Sequence, residues 1–190
     1  ESFRDVMSDA DKQDLMEVAG RGAARDEETR VKLINSLVDQ LEQDPNSIGN
    51  FRKLAELYHQ NGNYDEAIEC YERVTELTQT KDPAIDSAIT TILEDKYNEQ
   101  IRDLRSQLEA EPENAEAIEG AIAQLEDERG ETLLARYRQR VENYPNEPQF
   151  RMDLGELLHK AGQTDAALEQ FQHAQRSAHH APRASQMMGQ

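Results

Sequence analysis

The sequence predicts an all-α protein built from antiparallel helix hairpins, and three observations carry that expectation. Trp is absent and there are only four Phe and six Tyr, whereas Ala, Leu, Glu and Gln crowd the chain, a composition that favours helix over strand. Apolar residues recur at spacings of three and four, the period of one helix face. Short breakers, each holding Pro, Gly or Asn, cut that pattern into lengths suited to hairpins. With 36% hydrophobic and 32% charged residues in 190, the chain can build a core, but a thin one.

The first 27 residues read as one short helix and a polar link, with Gly20-Arg21-Gly22 as a helix end, since no apolar strand precedes the glycines and the rest of a phosphate loop is missing. From 28 onward, Val31, Ile34, Leu37, Val38 and Leu41 form an amphipathic stripe that stops at Asp44-Pro45-Asn46, because the residue before Pro is pushed out of the helical region. Next, Phe51, Leu54, Ala55 and Tyr58 form one stripe and Tyr64, Ala67, Ile68, Tyr71, Val74 and Leu77 a second. Asn61-Gly62-Asn63 separates them, with Gly62 suited to the left-handed residue that ends a helix. A link that short forces the two helices antiparallel. Residues 147–178 repeat the grammar with Phe150, Leu154, Gly155, Leu157 and Leu158, then Ala161-Gly162, then Ala167, Leu168, Phe171 and Ala174. Gly62 to Ala67 matches Gly162 to Ala167 in spacing, and Ala67 to Tyr71 matches Ala167 to Phe171.

This grammar resembles the tetratricopeptide repeat of about 34 residues, whose signature is an aromatic, Leu-Gly and a second aromatic on the first helix, then Ala-x-x-x-aromatic on the second. Phe51, Leu54, Ala55, Tyr58, Ala67 and Tyr71 fit it, with Ala55 replacing Gly. Leu154, Gly155, Ala167 and Phe171 fit in the later copy, where Leu158 replaces the second aromatic and Phe150 sits one residue early, with Arg151 at the expected place. Small residues at 67, 155 and 167 let two helix backbones approach. The resemblance is to scaffold proteins of the bacterial type, and it implies an α-solenoid of stacked hairpins.

Between Pro83 and Pro112, Ile85, Ile89, Ile92, Tyr97, Ile101, Leu104 and Leu108 trace a helix long for such a repeat. Ile118, Ile122, Leu125, Leu133, Tyr137 and Val141 trace another up to Tyr144-Pro145, with Gly130 a candidate break. This middle is either a decayed repeat with lengthened helices or an inserted antiparallel coiled coil. Pro148 and Pro182 lie one period apart, as do Leu154-Gly155 and Met188-Gly189, so the tail reads as the opening helix of a further repeat. Its exposed Met187 and Met188 then await a following helix, and a native chain longer than this one is expected. The expected divisions are 1–27, 28–81 (with the first repeat at 48–81), 82–146, 147–181 and 182–190.

The net charge of −18 weighs against nucleic acid or anionic lipid, which are bound through Lys and Arg. It suits a basic or apolar protein segment, or else the acids simply solvate the outer helix faces. No run approaches a membrane span, so no membrane insertion is expected and a cytoplasmic location is the default, while the start at Glu1 without Met leaves room for an upstream signal or anchor. Cys70 stands alone and reads as a small buried filler.

The five histidines, His59, His159, His173, His179 and His180, make no zinc-site spacing, and His59 and His159 read as one shared exposed position. Carboxylate pairs such as Asp65-Glu66 and Asp127-Glu128 are too numerous to single out, and no nucleophile elbow occurs. No catalysis, metal or cofactor is therefore expected.

The tetratricopeptide resemblance instead implies that a partner protein or peptide lies along a face lined by the first helix of each hairpin. The outward residues there are Arg52, Glu56, His59 and Gln60 in the first copy, and Met152, Glu156, His159 and Lys160 in the second. Lys53 and Asp153 stand where chaperone-tail receptors of that family carry Asn, which disfavours that subclass. The alternative is a structural role, with homo-oligomers forming through the long middle helices and the open C-terminal edge.

Overall fold

Helix-forming runs and their breakers settle most of the local structure. The computed structural model describes residues 27–177 and 179–188, so the expected helix end at Gly20-Arg21-Gly22 lies outside the described residues, as does Gly189. Among the described residues every regular element is helical. The chain divides into two units, Glu1–Leu77 and Thr78–Gln190, each taken by itself below.

In the first unit, helix α1 covers 27–43 and gives way to a turn at Pro45-Asn46. The Ser47 amide donates to the Asp44 carbonyl at 3.2 Å and restarts the chain as α2 (Ile48–Gln60). Only part of the α1 stripe is used: Ile34 and Leu37 are buried and Leu41 is half-buried, but Val31 and Val38 remain 42% and 37% exposed. At about 100° per residue, Ile34, Leu37 and Leu41 share a narrow arc with Val31 and Val38 on its flank, so the packed face is narrower than the sequence pattern suggests.

Gly62, at φ 77°, turns the chain from α2 into α3 (Tyr64–Thr78). Its amide donates to the His59 carbonyl at 3.1 Å and the Asn63 amide to the Tyr58 carbonyl at 2.9 Å, a left-handed helix stop. Leu54, Ala55, Ala67, Cys70, Tyr71 and Val74 form the buried seam. Burial holds the Tyr71 hydroxyl above its usual range, with the Glu56 charge adding to it and Arg52 opposing, which places both α2 side chains near α3. Cys70 is the buried filler its surroundings suggested.

The second unit begins with two long helices, α4 (Pro83–Ala110, 28 residues) and α5 (Ala115–Asn143, 29 residues). Asp82 caps α4, its carboxylate accepting from the Ala84 amide at 2.9 Å, with Pro83 in the first turn where a missing N–H costs nothing. The pair runs antiparallel: Tyr137 reaches Glu94, Tyr97 reaches Thr132 and Glu128, Arg129 reaches Asn98 and Arg105 reaches Glu126. Gly130 does not interrupt α5, a correction to the break considered above. Gly62 and Gly162 adopt positive φ and are followed by Asn63 and Gln163, whereas Gly130 sits between the strong helix formers Arg129 and Glu131.

The Glu147 amide donates to the Tyr144 carbonyl at 3.1 Å and α6 (Pro148–Lys160) follows, then Gly162 at φ 73° and α7 (Thr164–Ala174). The turn repeats the first one, with Gly162 donating to His159 and Gln163 to Leu158. A Cβ built on Gly155 would lie 2.5 Å from Phe171 Cε1, which is why this helix crossing takes glycine. Leu168 is an exception to the α7 stripe, remaining exposed on the flank of Ala167 and Phe171. The final helix α8 (Ala181–Met188) lays Ala184 into a core of Met152, Leu154, Leu158, Ala167, Phe171 and Ala174. Met187 and Met188 are half-buried against that same cluster, so the expectation that they stand exposed is corrected.

Candidate functional site

Equivalent atoms in the two hairpins lie 100 positions apart, from the amide of Asn63 to that of Gln163 and from Ala67 to Ala167, whose amides donate to residues 63 and 163 at 3.1 and 3.0 Å. The same offset holds for two grooves. In the first unit α1 and α2 flank a groove of about 330 Å³ floored by Leu33, Leu37 and Leu57, with Lys53, Glu56 and Gln60 on the α2 rim. In the second, α5 and α6 flank one of about 410 Å³ floored by Leu133, Leu134 and Leu157, with Lys160 on the α6 rim. Leu33 and Leu133, Leu57 and Leu157, and Gln60 and Lys160 are equivalent pairs. Leu33 is 49% exposed, so apolar surface is open to solvent in the first groove.

Charge separates the two. The first groove has one cation and one anion on its rim, Lys53 and Glu56. The second has Glu126, Asp127 and Glu131 against Arg129 and Lys160. Glu126 is paired with Arg105 at 2.8 Å and Arg129 donates to Asn98 at 3.0 Å, leaving Asp127 and Glu131 with no ion-pair partner among the described residues. Gly130 also lines this groove, and a Cβ added there meets nothing within 4 Å.

The sequence-derived residues distribute unevenly over these grooves. Glu56, Gln60 and Lys160 line them. Arg52 and His59 are half-buried, and the His59 ring stands 5.9 Å from that of Tyr64, so the shared position of His59 and His159 is half-buried and not exposed. Glu156 forms an ion pair with Arg183 of α8 at 2.7 Å. Met152 is corrected: it is 0% exposed and belongs to the core of the second unit, in one cluster with residues of α7 and α8 against which Leu134, Tyr137 and Val141 of α5 pack. The floor leucines Leu33, Leu57, Leu133 and Leu157 were passed over as binding residues. Leu133 and Leu157 belong to apolar stripes, which spacing alone reads as core, and Leu33 and Leu57 fall outside the stripes traced for their helices.

A second feature the sequence did not announce is a layer of charge between α4, α5 and α6. Arg136 is held to Asp86 at 2.6 Å, and Arg140 donates to Ser87 Oγ at 2.9 Å while lying 3.8 Å from Asp153. The Arg140 guanidinium stacks 4.0 Å from the centre of the Phe150 ring and 5.3 Å from that of Tyr137. Burial, with the hydroxyl donating to Glu94 at 2.6 Å, holds Tyr137 well above the usual tyrosine range. Arginine tolerates such a site because its plane can stack and donate at once. Among the described residues no group of three or more His, Cys, Asp or Glu side chains is placed to hold a metal, and no helix is long and apolar enough to cross a membrane.

Models described as tetratricopeptide repeat match residues 51–79 and 118–182. No curated protein gives a significant match. Among solved structures, one of MamA is 19% identical, over 74% of this chain and 84% of its own, at a TM-score of 0.32. One of MamA from Desulfovibrio magneticus RS-1 is 17% identical, over 90% and 96%, at 0.35. YrrB, described as a TPR protein with an unusual peptide-binding site, is 15% identical, over 84% of each chain, at 0.34. With every TM-score below 0.5, the assignment stands on the repeat matches and on the hairpins they cover. The first match spans the α2–α3 hairpin and the second runs through α6–α7, where the same turn hydrogen bonds and the same small-residue crossings recur 100 positions apart, and on that ground the chain belongs to the tetratricopeptide repeat family.

Proposed function

We propose that this chain is a non-catalytic scaffold that holds segments of a partner protein in the two equivalent grooves at α1–α2 and α5–α6. The observation that carries the reading is the recurrence of a leucine-floored groove at the same repeat position in both units, with Leu57 and Leu157 half-buried in each and Leu33 exposed in the first. An apolar side chain seated on Leu57 or Leu157 supplies hydrophobic burial of about 25 cal/mol per Å². The rim then selects for charge. Asp127 and Glu131 favour Lys or Arg beside that anchor in the second groove, while the first, with Lys53 and Glu56 opposed, is the less selective. The partner is thus a segment with apolar anchors flanked by basic residues, bound as a peptide on a preformed helical surface.

The test uses random dodecapeptides displayed on phage, panned against the whole chain and against Leu57→Glu and Leu157→Glu variants with unchanged circular dichroism. The reading expects enrichment of peptides joining an apolar residue to Lys or Arg, reduced by each variant and abolished when both are combined. Enrichment that both variants leave untouched would remove the grooves from the account. A solution mass above 21.7 kDa together with absent enrichment would favour self-association instead.

A further inference from the structure

The second unit carries a further groove beside its leucine floor. Pro145 and Pro148 wall a space of about 470 Å³ at the start of α6, and Arg151, His173, Arg176 and Ser177 face it from α6 and from the end of α7. No carboxylate lines it, in a chain of net charge −18. Arg151 is oriented by neutral acceptors only: Nε and Nη2 donate to the Pro145 carbonyl at 3.4 Å each and Nη1 to Gln170 Oε1 at 3.2 Å. Arg176 is exposed and forms no ion pair among the described residues.

The corresponding positions in the first unit show that the repeat does not need these cations. There the family's aromatic is present as Phe51, and the counterparts of His173 and Arg176 are Arg73 and Glu76, which neutralise each other at 2.9 Å. Three departures at once, Arg for Phe, His for Arg and Arg for Glu, turn a neutral patch into a cationic one. Cationic side chains near the end of α7 are also favoured by the helix dipole.

We propose that this groove is a binding site for a phosphoryl group. Two guanidinium groups match the tetrahedral, doubly charged oxygens of a phosphoryl better than a single planar carboxylate, and Ser177 Oγ adds a neutral donor. The remaining negative charge of the chain repels an extended acidic peptide over its whole length but a compact dianion only locally. The phosphoryl has two sources, free inorganic phosphate or a phosphorylated hydroxyl side chain on a partner segment. The site is separate from the two leucine grooves and does not depend on them.

The experiment measures fluorescence polarisation of a labelled Gly/Ser/Ala hexapeptide carrying one phosphoserine. It is compared with the unphosphorylated peptide and one carrying Glu at that place, with inorganic phosphate as competitor. Wild-type chain is expected to bind the phosphopeptide at least about tenfold tighter than either twin, and Arg176→Gln to lose about tenfold. Arg151→Phe, which installs the residue of the first unit, is expected to lose more. Arg176 is exposed, so its variant decides the matter even if the Arg151 variant fails to fold. Displacement by phosphate at matching concentrations assigns the site to the free anion, and its failure to displace assigns it to a phosphorylated protein segment. Equal affinity for the Glu peptide, no binding, or wild-type binding by Arg176→Gln overturns the proposal. Leu57→Glu and Leu157→Glu should leave this binding unchanged, which keeps it distinguishable from groove binding.

Discussion

At positions 40 and 50 the first unit joins two amides, with Asn50 Nδ2 donating to Gln40 Oε1 at 3.4 Å on an exposed surface. At 140 and 150 the second unit places a buried guanidinium 4.0 Å over an aromatic ring. One repeat geometry therefore tolerates either a weak polar pair or a buried cation–π stack at the same junction between a helix and the next hairpin. The exchange explains the one-residue shift of the aromatic. Phe150 turns toward Arg140 and Tyr144, packing edge-on to the latter at 5.5 Å, and the position it vacates becomes Arg151, which faces the cationic groove. Departures from the family pattern mark where this chain acquired something of its own.

The largest effect expected from probing that comparison is at the shared crossings. Ala67→Arg and Ala167→Arg each bury an unpaired charge where almost no surface is exposed, and each should cost several kcal/mol in urea denaturation, roughly 3–5. Gly155→Ala should cost about 1–3 kcal/mol, because its Cβ meets Phe171, and Phe171→Leu in the same chain should restore part of it. Ala55, fully buried at the equivalent position, should lose only about 1 kcal/mol as Ala55→Gly, through helix propensity. Equal and opposite costs at 55 and 155 would mean that the ring, and not the helix spacing, decides the residue.

The three glycines at the α2–α3, mid-α5 and α6–α7 positions give a smaller, signed test. Gly62→Ala and Gly162→Ala force a side chain into φ of 77° and 73° and should each destabilise by about 1 kcal/mol. Gly130→Ala, in open space on a regular helix, should stabilise by up to about 1 kcal/mol. A loss there would show that α5 turns at 130.

The mildest consequence is chemical. Burial, aided by Glu69 and Glu66, pushes the Cys70 thiol up from 9.0 to about 11. It should therefore react with a disulfide reagent at pH 8 far more slowly than a free cysteine. Its protonated form is favoured in the folded chain, so its contribution to stability is intact below pH 9 and lost between 9 and 11, where the unfolded thiol ionises first. Rapid labelling at pH 8 would show that α3 opens or packs differently.

Much of this was legible before any coordinates. The Gly62 and Gly162 turns and the Gly155 crossing follow from backbone sterics, and steric rules act locally. The long α4 followed from apolar spacing without a breaker, and α5 from the same spacing once Gly130 is seen not to interrupt it. Met152 departs from the expectation because a helix face reads as outward until its neighbours in space, here the cluster shared with α5, α7 and α8, are known. Arg140 carried no signal, since nothing near it in sequence reveals Phe150 or Ser87. The grooves were half visible: Glu56, Gln60 and Lys160 came from family geometry, but Leu157 reads as core in a one-dimensional pattern and Leu57 falls outside it.

The most direct test of the account places a photocrosslinking benzoylphenylalanine at Gln60 or Lys160 on the groove rims, and at Gln107 or Glu119 on the far part of the α4–α5 pair, in the presence of a peptide enriched by panning. The account predicts crosslinks from Gln60 and Lys160 and none from Gln107 or Glu119. Crosslinks from Gln107 or Glu119, whether to the peptide or to a second copy of the chain, with silence at the rims, would contradict it.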